Sequence, residues 1–315
     1  MKIKSTILSA TMLAAATVAQ AGESSKATFS EPAPSDPFEA AIRTITSPTL
    51  FDLAVPRTQA HAFFMHQNMP DTLRTSLGDL PVGGDFQVYA LQLEFALNER
   101  FSLVAAKDGY IDFNPDATLA RAEGFANISA GFKYAFLYRP EDALAAAFNL
   151  QIEIPIGDTD VWQGEGDGAA IPSVSVVKLW NNFQFANNIG VRVPFSSSDS
   201  TTAHLNAHVS YALTDRFSPL VELNYFRVLK DGAGDSRFEK QAGGAVPAIA
   251  TFEGGDLINL GSANAINKDL VTLGAGFRYR LTENIDLGAA YEIPLTEEEE
   301  NLMESRITID AVIHF

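Results

Sequence analysis

The sequence predicts an all-β protein, a transmembrane antiparallel up-and-down β-barrel of twelve strands. Three observations predict it: an export leader, five short polar turns that pair alternating segments, and a last segment that alternates apolar with polar residues up to an aromatic end. Residues beyond 21 offer no run of the roughly 18 continuous apolar residues that a spanning helix needs. Strands are therefore the elements left to cross a membrane.

The leader comes first in the chain. Lys2 and Lys4 precede an apolar run over 7–18, and Ala19-Gln20-Ala21 is a small-x-small cleavage site, so 1–21 reads as a secretory signal peptide and the mature chain starts at Gly22. The sequence has no Cys, so neither a lipid-modified cysteine nor a disulfide framework is expected. With 39 acidic against 22 basic side chains and a formal charge of −17, nucleic acid is disfavoured as a partner.

Residues 22–60 differ in composition from the rest of the mature chain. They are rich in Pro and acid at the start, and Asp36-Pro-Phe-Glu39 resembles a helix start, with Asp36 as N-cap, Pro37 at the first position and Glu39 completing a capping box. Ser47-Pro48 would end that helix. A loosely ordered periplasmic leader with a short helix is expected, although an amphipathic piece over 38–45 could instead plug the mouth of a barrel over 61–315.

The turns set the rhythm of the barrel. Ala96-Leu-Asn-Glu-Arg-Phe-Ser-Leu103, Ala212-Leu-Thr-Asp-Arg-Phe-Ser-Pro219 and Arg280-Leu-Thr-Glu-Asn-Ile-Asp-Leu287 repeat one pattern, in which turn-forming polar residues separate an apolar strand end from an apolar strand start. Tyr138-Arg-Pro-Glu-Asp142 and Trp180-Asn-Asn-Phe183 supply two more hairpins. Strands are expected over 86–97, 100–113, 124–138, 142–156, 170–180, 183–195, 201–213, 216–230, 268–281, 284–295 and 303–315, with a weaker twelfth over 61–69. Short turns alternate with long loops over 69–85, 157–169 and 231–267. If the turns are periplasmic, both termini share their side and the long loops face outward.

Alternation assigns the faces. Leu91, Leu93, Phe95 and Leu97, then Ile128, Ala130, Phe132, Tyr134 and Phe136, then Leu144, Phe148, Leu150, Ile152 and Ile154, then Leu273, Phe277, Tyr279 and Leu281 form lipid-side sets. In the last strand Ile307, Ile309, Ala311 and Ile313 do the same. Phe101, Phe136, Tyr138, Trp180, Phe183, Tyr211, Phe217 and Tyr279 gather beside the short turns, where an interfacial girdle belongs. Outer-membrane lipid and lipopolysaccharide are thus expected partners, and the terminal Phe315 suits recognition by barrel assembly machinery.

Inward positions carry the candidate functional residues: Glu94, Lys133, Glu153, Arg192, His208, Glu222, Arg278, Arg280, Glu292, Arg306 and Asp310. Charges of both signs on a lumen wall suit a selective aqueous channel, or a lumen filled with salt bridges that conducts nothing. A register centred on Asp215 sets His208 opposite Glu222 and Asn206 opposite Asn224, with Ser210 on the same face. His208-Val-Ser210 has the spacing of a barrel phospholipase, but in that family the triad faces lipid and here it faces the lumen, so no catalytic residue is expected. The carboxylates of Gly157-Asp-Thr-Asp160-Val-Trp-Gln-Gly-Glu165-Gly-Asp167 match no cation loop in spacing, and neither metal nor cofactor is expected.

Gly124-Phe-Ala-Asn127-Ile-Ser-Ala-Gly131-Phe-Lys133-Tyr134, followed by Ile154-Pro-Ile-Gly-Asp158, resembles the meta-pathway phenol-degradation family of outer-membrane transporters. Those proteins show a similar strand with Gly, Lys and Tyr, then a Pro-x-Gly-Asp exit from the next. The resemblance extends loosely over 86–315 and does not include the N-terminal segment. It implies a barrel in a bacterial outer membrane that passes small, often hydrophobic or aromatic, solutes, and it brings no binding residues with it.

Overall fold

The computed structural model describes residues 36–164, 166–197, 199–232, 237–247, 256–257 and 264–315. The expected signal peptide over 1–21 and, within the loop over 231–267, residues 233–236, 248–255 and 258–263 lie outside the described residues. Among the described residues no helix is long and apolar enough to cross a membrane.

Twelve antiparallel staves form a ring. They are β1 (Gln59–Asn68), β2 (Asp85–Asn98), β3 (Phe101–Lys107), β4 (Ile128–Arg139), β5 (Leu144–Ile154) and β6 (Ala169–Trp180), then β7 (Phe183–Pro194), β8 (Thr201–Tyr211), β9 (Phe217–Lys230), β10 (Asp269–Thr282), β11 (Ile285–Pro294) and β12 (Ser305–His314). Each stave pairs with its neighbours in sequence, and β1 pairs with both β12 and β2, so the sheet closes on itself. Closure removes the unpaired edge that lipid cannot hydrate. Short strands Tyr110–Asn114 and Ala122–Phe125 prolong β3 and β4 beyond the ring on the long-loop side.

The five short turns all lie at one end. The register across β8 and β9 pairs His208 with Glu222 and Asn206 with Asn224, because a turn over 212–216 leaves no slack for a slip that would send every lumen side chain into lipid. Outward side chains are exposed as a lipid-facing band: Phe95, Phe136, Ile189, Leu205, Val221 and Ile309 are each about half exposed while their strand neighbours are buried. Tyr138 departs from the expected girdle. A register irregularity between Tyr134 and Leu137 turns it inward, and its ring lies 5.1 Å from that of Phe38.

From residue 36 on, where it is described, the N-terminal segment follows the plug alternative and not the loosely ordered leader with a short helix. Only Pro37–Ala40 is helical, as one 3-10 turn. Residues 41–57 climb the lumen from the turn end and come back, and Phe38, Ala41, Ile45, Phe51, Leu53 and Ala54 are buried. β-Branched Thr44, Ile45 and Thr46 disfavour a helix. Lumen side chains offer the backbone the partners that a helix would have supplied. At the tip Ser47 adopts a positive φ of 53° before Pro48, and its carbonyl accepts the Phe51 amide at 2.9 Å.

The barrel's interior is divided. At the long-loop end the side next to β1 and β2 is apolar, with Phe63, Met65, Met69, Leu73, Phe86, Val88, Ile111, Phe113 and Trp162 in one buried cluster, while Lys107, Glu153, Arg192 and Asp199 pair elsewhere at that end. The turn end holds the plug, among polar side chains and the small residues Ala135, Ala145, Ala147, Val177 and Ala186. This division explains the poor alternation of the first stave. The inner face of β1 changes from Gln59 and His61 to Phe63 and Met65, all buried, so apolar residues appear on both faces.

Candidate functional site in the lumen

Period-two geometry places charged side chains of β1 to β12 inside the ring, where they meet the plug and one another. On one wall Arg278 of β10 forms a bidentate pair with Asp310 of β12, with Nη2 at 2.7 Å from Oδ2. His61 Nε2 lies 2.7 Å from the same Oδ2. The Arg278 guanidinium also donates to plug carbonyls, through Nε to Arg43 at 2.8 Å and Nη2 to Thr44 at 2.9 Å. A Cβ at Gly288 would collide with Asp310 Oδ1 and fall 2.6 Å from Arg278 Nη1, so glycine there makes room for the pair.

Lys133 of β4 binds two carboxylates, Asp52 of the plug at 2.7 Å and Glu94 of β2 at 2.8 Å. Arg43 of the plug meets Asp52 at 3.0 Å and Gln92 at 2.9 Å. Burial by itself would raise the Asp52 carboxyl, but Lys133 and Arg43 outweigh it and hold the group below the usual carboxylate range. Nearer the loops Glu153 bridges Lys107 at 3.2 Å and Arg192 at 3.3 Å, and Arg192 also reaches Asp199 at 3.0 Å. Arg306 lies 3.5 Å from Asp256 and 3.7 Å from Glu292. Arg280 sits lower, half-exposed at the turn end, 3.2 Å from Asp286.

Glu222 of β9 is the centre of the plug's seat. Its carboxylate accepts the amides of Ile45 at 3.1 Å and Thr46 at 2.6 Å and the Thr46 hydroxyl at 2.5 Å. His208 Nδ1 lies 2.7 Å from Glu222 Oε1, and His208 Nε2 lies 3.0 Å from Ser210 Oγ. A serine, imidazole and carboxylate joined in that order could in principle transfer acyl groups. Here the carboxylate also binds the plug and Ser210 is buried, so in this conformation the chain of bonds holds the seat. Glu292 accepts from Asn224 at 3.0 Å and from the Thr272 hydroxyl.

The structure thus places Glu94, Lys133, Glu153, Arg192, His208, Glu222, Arg278, Glu292, Arg306 and Asp310 in the buried lumen, with Arg280 at its mouth. Sequence reasoning missed Arg43, Asp52, Lys107, Asp199 and Asp256, the partners of five of them. Most sit in the plug or in loops, where period two carries no signal. Gln184 was also missed although it was accessible, since Phe183-Gln-Phe-Ala alternates as a stave should. On the plug and the β7–β8 wall several buried polar atoms have no partner among the described residues: Ser47 Oγ, Asn188 Oδ1, Asn206 Oδ1 and both ring nitrogens of His204. In the acidic loop, Asp158 accepts the Phe125 amide at 2.6 Å.

The family described as "Putative MetA-pathway of phenol degradation" matches residues 63–306. The chain belongs to that family. The match begins within β1, so the plug lies outside it. The fold is similar to an outer membrane channel from Pseudomonas putida F1, with 12% identity and a TM-score of 0.57 over 83% of this chain and 96% of that one. It is also similar to the NanC porin, with 8% identity and a TM-score of 0.49 over 82% of this chain and 100% of that one. At such identities the fold is what is shared. No curated protein matches the chain.

Proposed function

We propose that the protein is a bacterial outer-membrane channel that passes a small hydrophobic or aromatic solute, and that its own N-terminal segment closes it in the conformation with the lumen filled. The observation that carries this reading is the division of the lumen. An apolar cluster around Phe63, Phe86, Phe113 and Trp162 under the long loops leads to the turn-end half, which residues 37–57 fill. A solute with an aromatic ring would partition into the first region from outside, and withdrawal of the segment would open the second. Membership of the phenol-degradation family supports the solute class. Lipopolysaccharide and lipid surround the exposed outer band, with the long loops outward and the short turns in the periplasm.

The segment is held by side-chain hydrogen bonds and ion pairs, each of which water could replace on withdrawal. Passage would be passive, with Glu94, Lys133, Glu153, Arg192, His208, Glu222, Arg278, Arg280, Glu292, Arg306 and Asp310 lining the path once it is open. Liposome flux of a phenolic probe tests this: the wild type should show slow flux and plug-weakened variants fast flux. Equal, negligible flux from folded examples of both would overturn it. The dense pairing of lumen charges favours one second reading, a structural or adhesive barrel with a filled lumen. In that case Arg278→Met would lower stability and leave permeability unchanged.

A further inference from the structure

We propose that the lumen wall is a receptor for a polypeptide read through its backbone, able to bind a peptide supplied in trans as well as the segment tethered to β1. The bound chain runs open over the part that matches 42–46 and is turned over 47–50. Five wall side chains from five staves address main-chain groups of the plug. Gln184 exchanges two hydrogen bonds with Ile42, accepting from its amide and donating to its carbonyl, both at 2.8 Å. Arg278 donates to the carbonyls of Arg43 and Thr44, and Glu222 accepts the amides of Ile45 and Thr46. Gln92 donates to the Pro48 carbonyl at 2.8 Å, and Gln151 to the Thr49 carbonyl at 3.5 Å. Backbone groups are common to every residue, so this set of contacts recognises a backbone path more than a sequence.

Selectivity enters at two apolar recesses. Ala135, Ala145, Ala147, Val177 and Ala186 are small lumen residues that receive Phe38, Phe51 and Leu53, while Leu220 and Ala290 receive Ile42 and Ile45. Gly274 belongs to the same design, because a Cβ there would lie 2.7 Å from Thr46 Cγ2. The ligand class is accordingly an unstructured peptide with aromatic or aliphatic residues at these spacings, entering from the turn end. A second copy's N-terminal segment is the simplest member. This binding does not depend on whether the barrel conducts.

The test uses the full chain with the triple change Ile42→Pro, Ile45→Pro and Thr46→Pro, which removes three amide donors from the tethered segment and leaves every stave intact. A labelled peptide with the sequence of residues 37–58 should bind this protein saturably in detergent, as read by fluorescence anisotropy. The same peptide N-methylated at Ile42, Ile45 and Thr46 should bind about tenfold more weakly or worse, since hydrogen bonds to charged groups are worth at least that factor. Barrel formation is checked by heat-modifiable migration. Should the proline variant not fold, Arg43→Ala with Asp52→Ala loosens the segment through side chains alone and takes its place. Absence of saturable binding to a folded variant, or equal binding of the N-methylated peptide, overturns the proposal.

Discussion

Glu222 Oε2 accepts both the amide and the hydroxyl of Thr46, at 2.6 and 2.5 Å. One lumen carboxylate thereby holds a residue 176 positions earlier in the chain, and it does so with bonds that water could replace. The closed state is therefore a bound state, whose strength depends on a few named groups.

Glu222→Gln removes the charge from the seat and keeps its shape. Charge-assisted bonds are about twice as strong as neutral ones, so the segment should sit less firmly. Single-channel recording should show more frequent and longer openings than the wild type.

Gly274→Ala should open the barrel without removing a hydrogen-bonding group. Its new Cβ would lie 2.7 Å from Thr46 Cγ2 and force that residue away from β10. Limited proteolysis at Arg43 checks the displacement: the variant should be cut faster than the wild type while the barrel's electrophoretic mobility is preserved.

Arg278 and Asp310 are both buried, and each leaves the other's charge uncompensated when removed. Arg278→Met or Asp310→Asn alone should destabilise the fold by about 3–5 kcal/mol. The double change should cost less than the sum of the two. Unfolding in urea, followed by tryptophan fluorescence, measures all three.

Asp52 makes the closure sensitive to strong acid. Its carboxyl is held below the usual range by Lys133 and Arg43 against the effect of burial, so its contribution is fully present above about pH 4, the value of a free aspartate. That contribution is lost as pH falls through the lower bound-state value. Openings should stay rare from neutral pH down to about pH 5 and increase only in stronger acid, and Asp52→Asn should show frequent openings already at neutral pH. Bilayer recordings across that range check both parts.

The staves were legible because each has one face in lipid and one in a lumen, and three of their five short turns repeat Leu, three polar residues and an aromatic or aliphatic residue. Register was legible for the same reason, as the pairing of His208 with Glu222 shows. The plug was not. Its residues pair with partners such as Gln184, Glu222 and Arg278, more than a hundred positions away, and the Asp36 and Pro37 signal describes only the 3-10 turn at its start. Arg43 and Asp52 have no periodic pattern to mark them. β1 alternates by burial but not by polarity, because its inner face passes from Gln59 and His61 to Phe63 and Met65 and back to Gln67.

A reversible lock on the segment tests the closure most directly. The chain has no cysteine, and Thr46 Oγ1 lies 3.0 Å from Asn224 Nδ2, so Thr46→Cys with Asn224→Cys brings two thiols near enough for a short bis-methanethiosulfonate cross-linker to join plug to wall through disulfides. In planar bilayers the cross-linked protein should be silent, and reduction of the same sample should restore or increase the openings. Equal current before and after reduction, with the cross-link shown to form and break, would contradict closure by this segment.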